Sequence, residues 1–176
     1  MPYHNNFNTK NNLSLLIKQE KNSARIQMMI SDSVTTADLP LTFQIIKTFL
    51  PSVLTSDCFN DLSLPFHKEI KNTEIGHLFE HILLEYMCQL KIAKGHRSAV
   101  FAGKTKWNWE REPMGTFHIH INCKPKDADI FPTALNKTIA LMKMILNSKN
   151  SLPRQQSLLY HNGLKNGKKL KLKKII

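Results

Sequence analysis

Long apolar runs are missing from this sequence. No stretch approaches the ~18 consecutive apolar residues that span a bilayer, and the opening MPYHNNFNTKNNLSLLIKQEK has no long apolar run behind a basic head. The chain is therefore expected to be neither membrane-inserted nor secreted, with the cytoplasm as its location. Cysteine is scarce as well. Cys58, Cys88 and Cys123 are odd in number and widely spaced, which fits reduced thiols better than a disulfide frame. The 6 glycines form no phosphate-cradling loop, and no internal repeat is present. Acid is short too, with 13 Asp and Glu against 25 Lys and Arg for a net charge of +12. Much of that excess sits at one end, where residues 151–176 hold Arg154, six lysines and no acid. This tail could touch polyanions, but a solvated, frayed terminus is the simpler expectation and nucleic acid is not the expected partner.

What is present is enough apolar sequence, 41% of 176 residues, for the core of one ordinary domain. Residues 1–24 are rich in Asn, Lys and Ser and are expected to be a mobile arm or a short edge element. The domain proper is expected over 25–150, with 151–176 as its basic tail. Ile26, Met28 and Ile30 alternate as in a strand, and LTFQIIKTFL has the spacing of a short helix stopped near Pro51. The clearest element is a helix over 72–91. Ile75, Phe79, Ile82, Leu83, Tyr86 and Leu90 recur at three- and four-residue spacing, with Asn72 or Thr73 as cap and Gly95 beyond the end. SAVFAG at 98–103 and GTFHIHIN at 115–122 read as two strands joined by a basic, aromatic loop, and a last helix follows from Phe131 to Asn147. The order predicts an α+β fold, a mainly antiparallel sheet with helices packed on one face.

The long helix carries His77-Leu78-Phe79-Glu80-His81, an H-x-x-E-H pattern, with Glu85 four residues on. At roughly 100° per residue the two histidines stand one turn apart on nearly one face, so their imidazoles can converge on a metal ion, with Glu80 beside them as general base. Helix geometry places them roughly opposite the apolar stripe, so the same residues could equally be a solvated polar face. Glu85 shares the face but lies about 12 Å of helix rise from His77. His118 and His120, on one side of their strand, are a second source of a third ligand. Cys88 reads as a small buried residue.

Several of these segments resemble, in order, the amino-terminal domain of cyanophycin synthetases. Gly76 and the H-x-x-E-H-x-x-L-E run through Glu85 match that family's pattern. Leu50-Pro51-Ser52-Val53-Leu54 through Cys58 is similar to its Pro-x-Leu…Cys segment, and Pro65-Phe66-His67-Lys68-Glu69-Ile70 to its Gly-Phe-x-x-Arg-Leu run. Gly103-Lys104-Thr105-Lys106 resembles Gly-Arg-Thr-Arg, and Gly115-Thr116-Phe117-His118-Ile119 resembles Gly-Val-Tyr-x-Val. The resemblance covers roughly residues 25–150. It implies the fold of inverted-motif zinc peptidases, with zinc as cofactor, His77, His81 and Glu85 on the metal and Glu80 as the base. The implied activity is hydrolysis of an amide bond in a peptide or polyamide substrate. Lys104 and Lys106, in place of family arginines, would face substrate together with His118 and His120, though as point charges the lysines cannot hold a carboxylate bidentately. The Gly-Gly before Phe66 is absent, and Trp107 and Trp109 stand in a longer charged loop. The sequence ends where the ATP-grasp and ligase domains would begin. ATP-driven synthesis is thus not expected of it, and a partner protein could supply those domains.

Two other functions fit the same residues. One is a non-catalytic domain that binds a peptide or a partner. The other is nucleic-acid binding through the Lys-rich tail with Trp107 and Trp109 as stacking platforms. Indoles packed onto the sheet are the simpler expectation for those tryptophans.

Overall fold

The computed structural model describes residues 4–8, 13–31, 33–56, 58 and 65–151; the expected basic tail thus lies, but for Ser151, outside the described residues. Five strands run in the chain order β1 (His4–Asn8), β2 (Leu13–Gln19), β3 (Ser23–Ile30), β4 (Gly103–Lys106) and β5 (Thr116–Asn122). They form one sheet of order β1-β2-β3-β5-β4, and every neighbouring pair is antiparallel. Four helices accompany it: α1 (Thr42–Phe49), α2 (Phe66–Glu69), α3 (Ile75–Ala93) and α4 (Ile130–Asn147). The α+β expectation therefore holds. No helix of the described residues is long and apolar enough to cross a membrane.

Alternation decides which face of the sheet is covered. Leu13, Leu15 and Ile17 on β2, Ile26, Met28 and Ile30 on β3, and Phe117, Ile119 and Ile121 on β5 are all buried. Their neighbours Leu16, Lys18, Arg25, Met29, His118, His120 and Asn122 are exposed. Helices α3 and α4 close the buried side with Phe79, Ile82, Leu83, Ile139 and Met142. Burial of each large apolar side chain contributes roughly 1.5–3 kcal/mol. Phe66, Phe79 and Phe117, all inaccessible to solvent, are among the largest contributors.

Three elements differ from the sequence expectation. The segment expected as a mobile arm or a short edge element over 1–24 holds β1, at the edge of the sheet, and β2, which pairs with β3 along its whole length. The alternation Leu13-Ser14-Leu15-Leu16-Ile17 is a half-buried strand pattern, and an exposed Leu16 blurs it. Strand β4 begins at Gly103, at the end of SAVFAG, and runs into the expected loop. Its inward residues are Gly103 and Thr105, so hydrophobic periodicity passes over it. The cap of α3 also differs: Glu74 stands at the N-cap position without a side-chain bond, while the Thr73 hydroxyl is engaged by His77.

Candidate metal centre

Over its first two turns every residue of α3 but the partly buried His77 is buried, which gives its polar residues a surrounding other than water. Ile75, Leu78, Phe79 and Ile82 take the core side. The opposite side is covered by the 3-10 turn Pro51–Thr55, Ser56, Cys58 and α2. His81 is consequently 7% exposed and His77 partly buried, against the expectation of a solvated face opposite the stripe. Phe66 of α2 stacks on the His81 ring at 3.9 Å between centroids and meets His77 edge-on at 5.9 Å. The stacked phenyl ring restricts the His81 imidazole to motion in its own plane, while the edge-on contact only packs against His77.

Hydrogen bonds fix the rest. Ser56 Oγ donates to the Val53 carbonyl at 2.7 Å, and its one proton is thereby used. Toward His81 Nδ1, 2.9 Å away, it can only accept, so His81 carries its proton on Nδ1 and a lone pair on Nε2. That lone pair points at His77 Nε2, 3.1 Å distant. His77 Nδ1 lies 2.9 Å from the Thr73 hydroxyl and 3.8 Å from Glu69 Oε2. Thr73 is itself held by Thr36, whose hydroxyl accepts its N–H at 2.9 Å. Cys58 Sγ completes the group, 3.4 Å from His77 Nε2 and 3.7 Å from Glu69 Oε2.

Cys58, His77 and His81 each offer one ligand atom, and these three atoms lie within 4.8 Å of one another. Burial keeps both imidazoles neutral. It lowers the pKa of His77 against the opposing pull of Glu69. It lowers that of His81, helped by His77, to about 3. Neutral imidazole is the ligating form. Tetrahedral zinc, with bonds of ~2.0–2.1 Å to nitrogen and ~2.3 Å to sulfur, needs about 3.3 Å between two nitrogens and about 3.6 Å between nitrogen and sulfur. The 3.1 and 3.4 Å separations, both made by His77, come near those values, and the third, between Cys58 Sγ and His81, is within 4.8 Å. The residues therefore fit zinc, with each Nδ1 already held by a hydroxyl, as ligating histidines generally are. For His77 to ligate, its proton must sit on Nδ1, where Thr73 and Glu69 can receive it.

The other expected site residues lie elsewhere. Glu80 is 7% exposed but turns toward β4, where the Thr105 hydroxyl donates to its carboxylate. Burial raises its pKa and the Thr105 bond partly offsets this. Glu85 does not join the ligand cluster. Its Oε1 accepts from Ser52 at 2.5 Å and Gln89 at 3.1 Å in an exposed position, because eight residues of helix carry it more than two turns from His77. Lys104, Lys106, His118 and His120 do not face the cluster either. Alternation sends them to the uncovered side of the sheet, while Gly103 and Thr105 between them face α3. Cys88 Sγ lies 3.6 Å from the Ala99 carbonyl, also apart from the cluster. Trp107 and Trp109 pack on Phe117 at 6.0 and 5.5 Å, and Trp109 Nε1 donates to the Thr116 carbonyl. That removes them as stacking platforms.

Sequence reasoning missed Cys58 and Glu69 as members of the site. Cys58 stands 19 residues before His77 in a linker, so no ligand spacing marks it. Only the fold of α2 and the preceding turn over α3 brings it in. The chain matches no protein-family model, no curated protein and no solved structure.

Proposed function

We propose that this protein is a metal-dependent hydrolase of an amide bond in a peptide or polyamide, with zinc held by His77, His81 and Cys58. The observation that supports this reading is the convergence of two imidazole nitrogens and one Sγ within 4.8 Å of one another, with His77 Nε2 3.1 and 3.4 Å from the other two. Three protein ligands leave a fourth position open, as catalytic zinc sites do. Zinc, when bound, supplies Lewis acidity and lowers the pKa of a coordinated water to about 7. The chain's own residues hold and tune the site. Ser56 fixes the His81 tautomer, Thr73 receives the His77 proton with the Glu69 carboxylate 3.8 Å away, and Phe66 stacks on the His81 ring. Glu80, whose burial raises its proton affinity, is the proton acceptor in this reading. The ordered resemblance to cyanophycin synthetase amino-terminal domains supports the same chemistry. A Cys58 thiol kept reduced suits the cytoplasm.

The test is elemental analysis of chelator-free protein, followed by peptide hydrolysis with the loaded enzyme. About one zinc per chain, lost in a His77→Ala, His81→Ala variant, together with activity abolished by Glu80→Gln, is expected. Protein that takes up no metal under zinc loading overturns the proposal.

A second reading, a non-catalytic peptide- or partner-binding domain with a structural metal, draws support from one observation. Glu80 hydrogen-bonds to Thr105 rather than to a ligand. Stoichiometric zinc with no hydrolysis of any peptide tested is the outcome that would favour it.

A further inference from the structure

Across the uncovered side of the sheet, four strands bring basic residues into one line. Lys18 of β2 is opposite Arg25 of β3, Arg25 is opposite His120 of β5, and His120 is opposite Lys104 of β4. The next row runs Leu16, Gln27, His118, Lys106. All but Gln27 are exposed. Strands stand roughly 4.8 Å apart, and like charges directly opposite each other on a sheet destabilise it. A row of basic side chains of this kind is complementary to an anionic partner.

The face already takes carboxylates. Glu20 Oε1 lies 3.3 Å from Arg25 Nε and 3.9 Å from Lys18 Nζ, and the Glu112 carboxylate meets His118 Nε2 at 2.7 and 2.9 Å. Lys104 and Lys106 have no carboxylate partner among the described residues. Leu16 and Met29, each 44% exposed, give the same face an apolar patch on adjacent strands. At its far end Asn122, next in the alternation after His118 and His120, opens onto a depression of about 760 Å³ lined by Asn22, Pro125, Lys124 and Lys126.

We propose that this face is a docking surface for an acidic peptide segment of a partner protein. Its carboxylates seat on Lys104, Lys106, Arg25 and Lys18, and its apolar side chains pack on Leu16 and Met29. Charge excludes the alternatives close at hand. The chain's own segment 151–176 is basic, and a second copy carries the same net +12. Single-stranded nucleic acid wants aromatic platforms, and Trp107 and Trp109 are turned inward onto Phe117. The surface stands on the side of the sheet away from the metal centre and does not rest on the hydrolase reading.

The experiment is fluorescence anisotropy on the full chain with a labelled peptide of alternating Glu and Leu. Its Gln-for-Glu counterpart and single-stranded oligothymidylate serve as comparison probes. The acidic peptide is expected to bind, the Gln peptide not to, and Lys104→Glu with Lys106→Glu to weaken binding about tenfold or more. These two reversals break no ion pair among the described residues, and circular dichroism checks the fold. Arg25→Gln is a second, milder variant, expected to weaken binding in the same direction. Replacing Lys168, Lys169, Lys171, Lys173 and Lys174 by Gln is expected to leave binding of the peptide intact. The proposal is overturned if the peptide does not bind, if binding ignores the sheet variants but follows the tail variant, or if the oligonucleotide binds this face more tightly than the peptide.

Discussion

The hydroxyl of Thr105 on β4 donates to the carboxylate of Glu80 on α3, while Lys104 and Lys106 on either side of it point away from the helix. A buried carboxylate with a raised pKa costs stability wherever it is ionised, because the unfolded chain ionises it in water without penalty. Glu80→Gln keeps an oxygen to accept from Thr105 and removes the charge. The variant is expected to melt a few degrees higher than the wild type at pH 7 while losing any hydrolytic activity. Differential scanning calorimetry reads the first and peptide hydrolysis the second. A lower melting temperature would mean that the ionised carboxylate stabilises the α3–β4 contact.

Metal retention should separate the ligands that folding brings together from the residue that only sequence spacing offers. Cys58→Ser is expected to lose most bound zinc, and Glu85→Gln to keep it, since Glu85 is engaged by Ser52 and Gln89. Ser56→Ala and Thr73→Ala are expected to weaken zinc about 10- to 100-fold, the usual cost of removing a partner that orients a ligating histidine. Competition with a chromophoric chelator measures all four. With cobalt in place of zinc, a thiolate charge-transfer band present in the wild type and absent in Cys58→Ser would identify the sulfur ligand.

Acid should destabilise the metal-free protein through the same pair. The folded pKa of His81 is lowered to about 3 and that of His77 is also lowered, both mainly by burial. As pH falls below the unfolded value of ~6.5, the unfolded chain takes up protons that the native state refuses, and stability drops toward pH 3. Glu74 and Glu80, raised by burial, act in the opposite sense, but they are common to the wild type and a His77→Gln, His81→Gln variant. Urea unfolding from pH 7 down to pH 4 is therefore expected to show a steeper loss in the wild type than in the variant. Parallel curves would contradict neutral burial of the pair.

Gly76 is a packing requirement one residue before His77. A Cβ there would stand 2.4–2.8 Å from the side chain of Phe117 on β5. Gly→Ala inside a helix ordinarily stabilises by up to ~1 kcal/mol, but here overpacking is expected to reverse the sign to a net loss of about 1–3 kcal/mol. Phe117→Leu in the same chain should recover part of it. Equilibrium denaturation of the two variants and their combination tests the coupling.

Local periodicity determined much of this protein. The stripe from Ile75 to Leu90 specified α3, the alternation around Ile26 and Ile119 specified β3 and β5, and the placing of His77 and His81 one turn apart already made them a possible ligand pair. These features depend on residues within a few positions of one another, and helix and strand geometry convert such spacing directly into faces. The tertiary structure decided the rest. Cys58 and Glu69 reach the histidines because α2 and the turn before it fold over α3. The His81 tautomer is set by a serine 25 residues away. Glu80 faces Thr105 and Glu85 faces Ser52 because neighbours from distant segments occupy those sides of the helix. Strand β4 escaped the hydrophobic pattern because its inward residues, Gly103 and Thr105, face a carboxylate and not a core. Lys104, Lys106, His118 and His120 left the metal centre for the opposite side of the sheet because strand alternation decides that two residues share a face. Which face is covered depends on where the helices pack, and that is settled by contacts far apart in the chain.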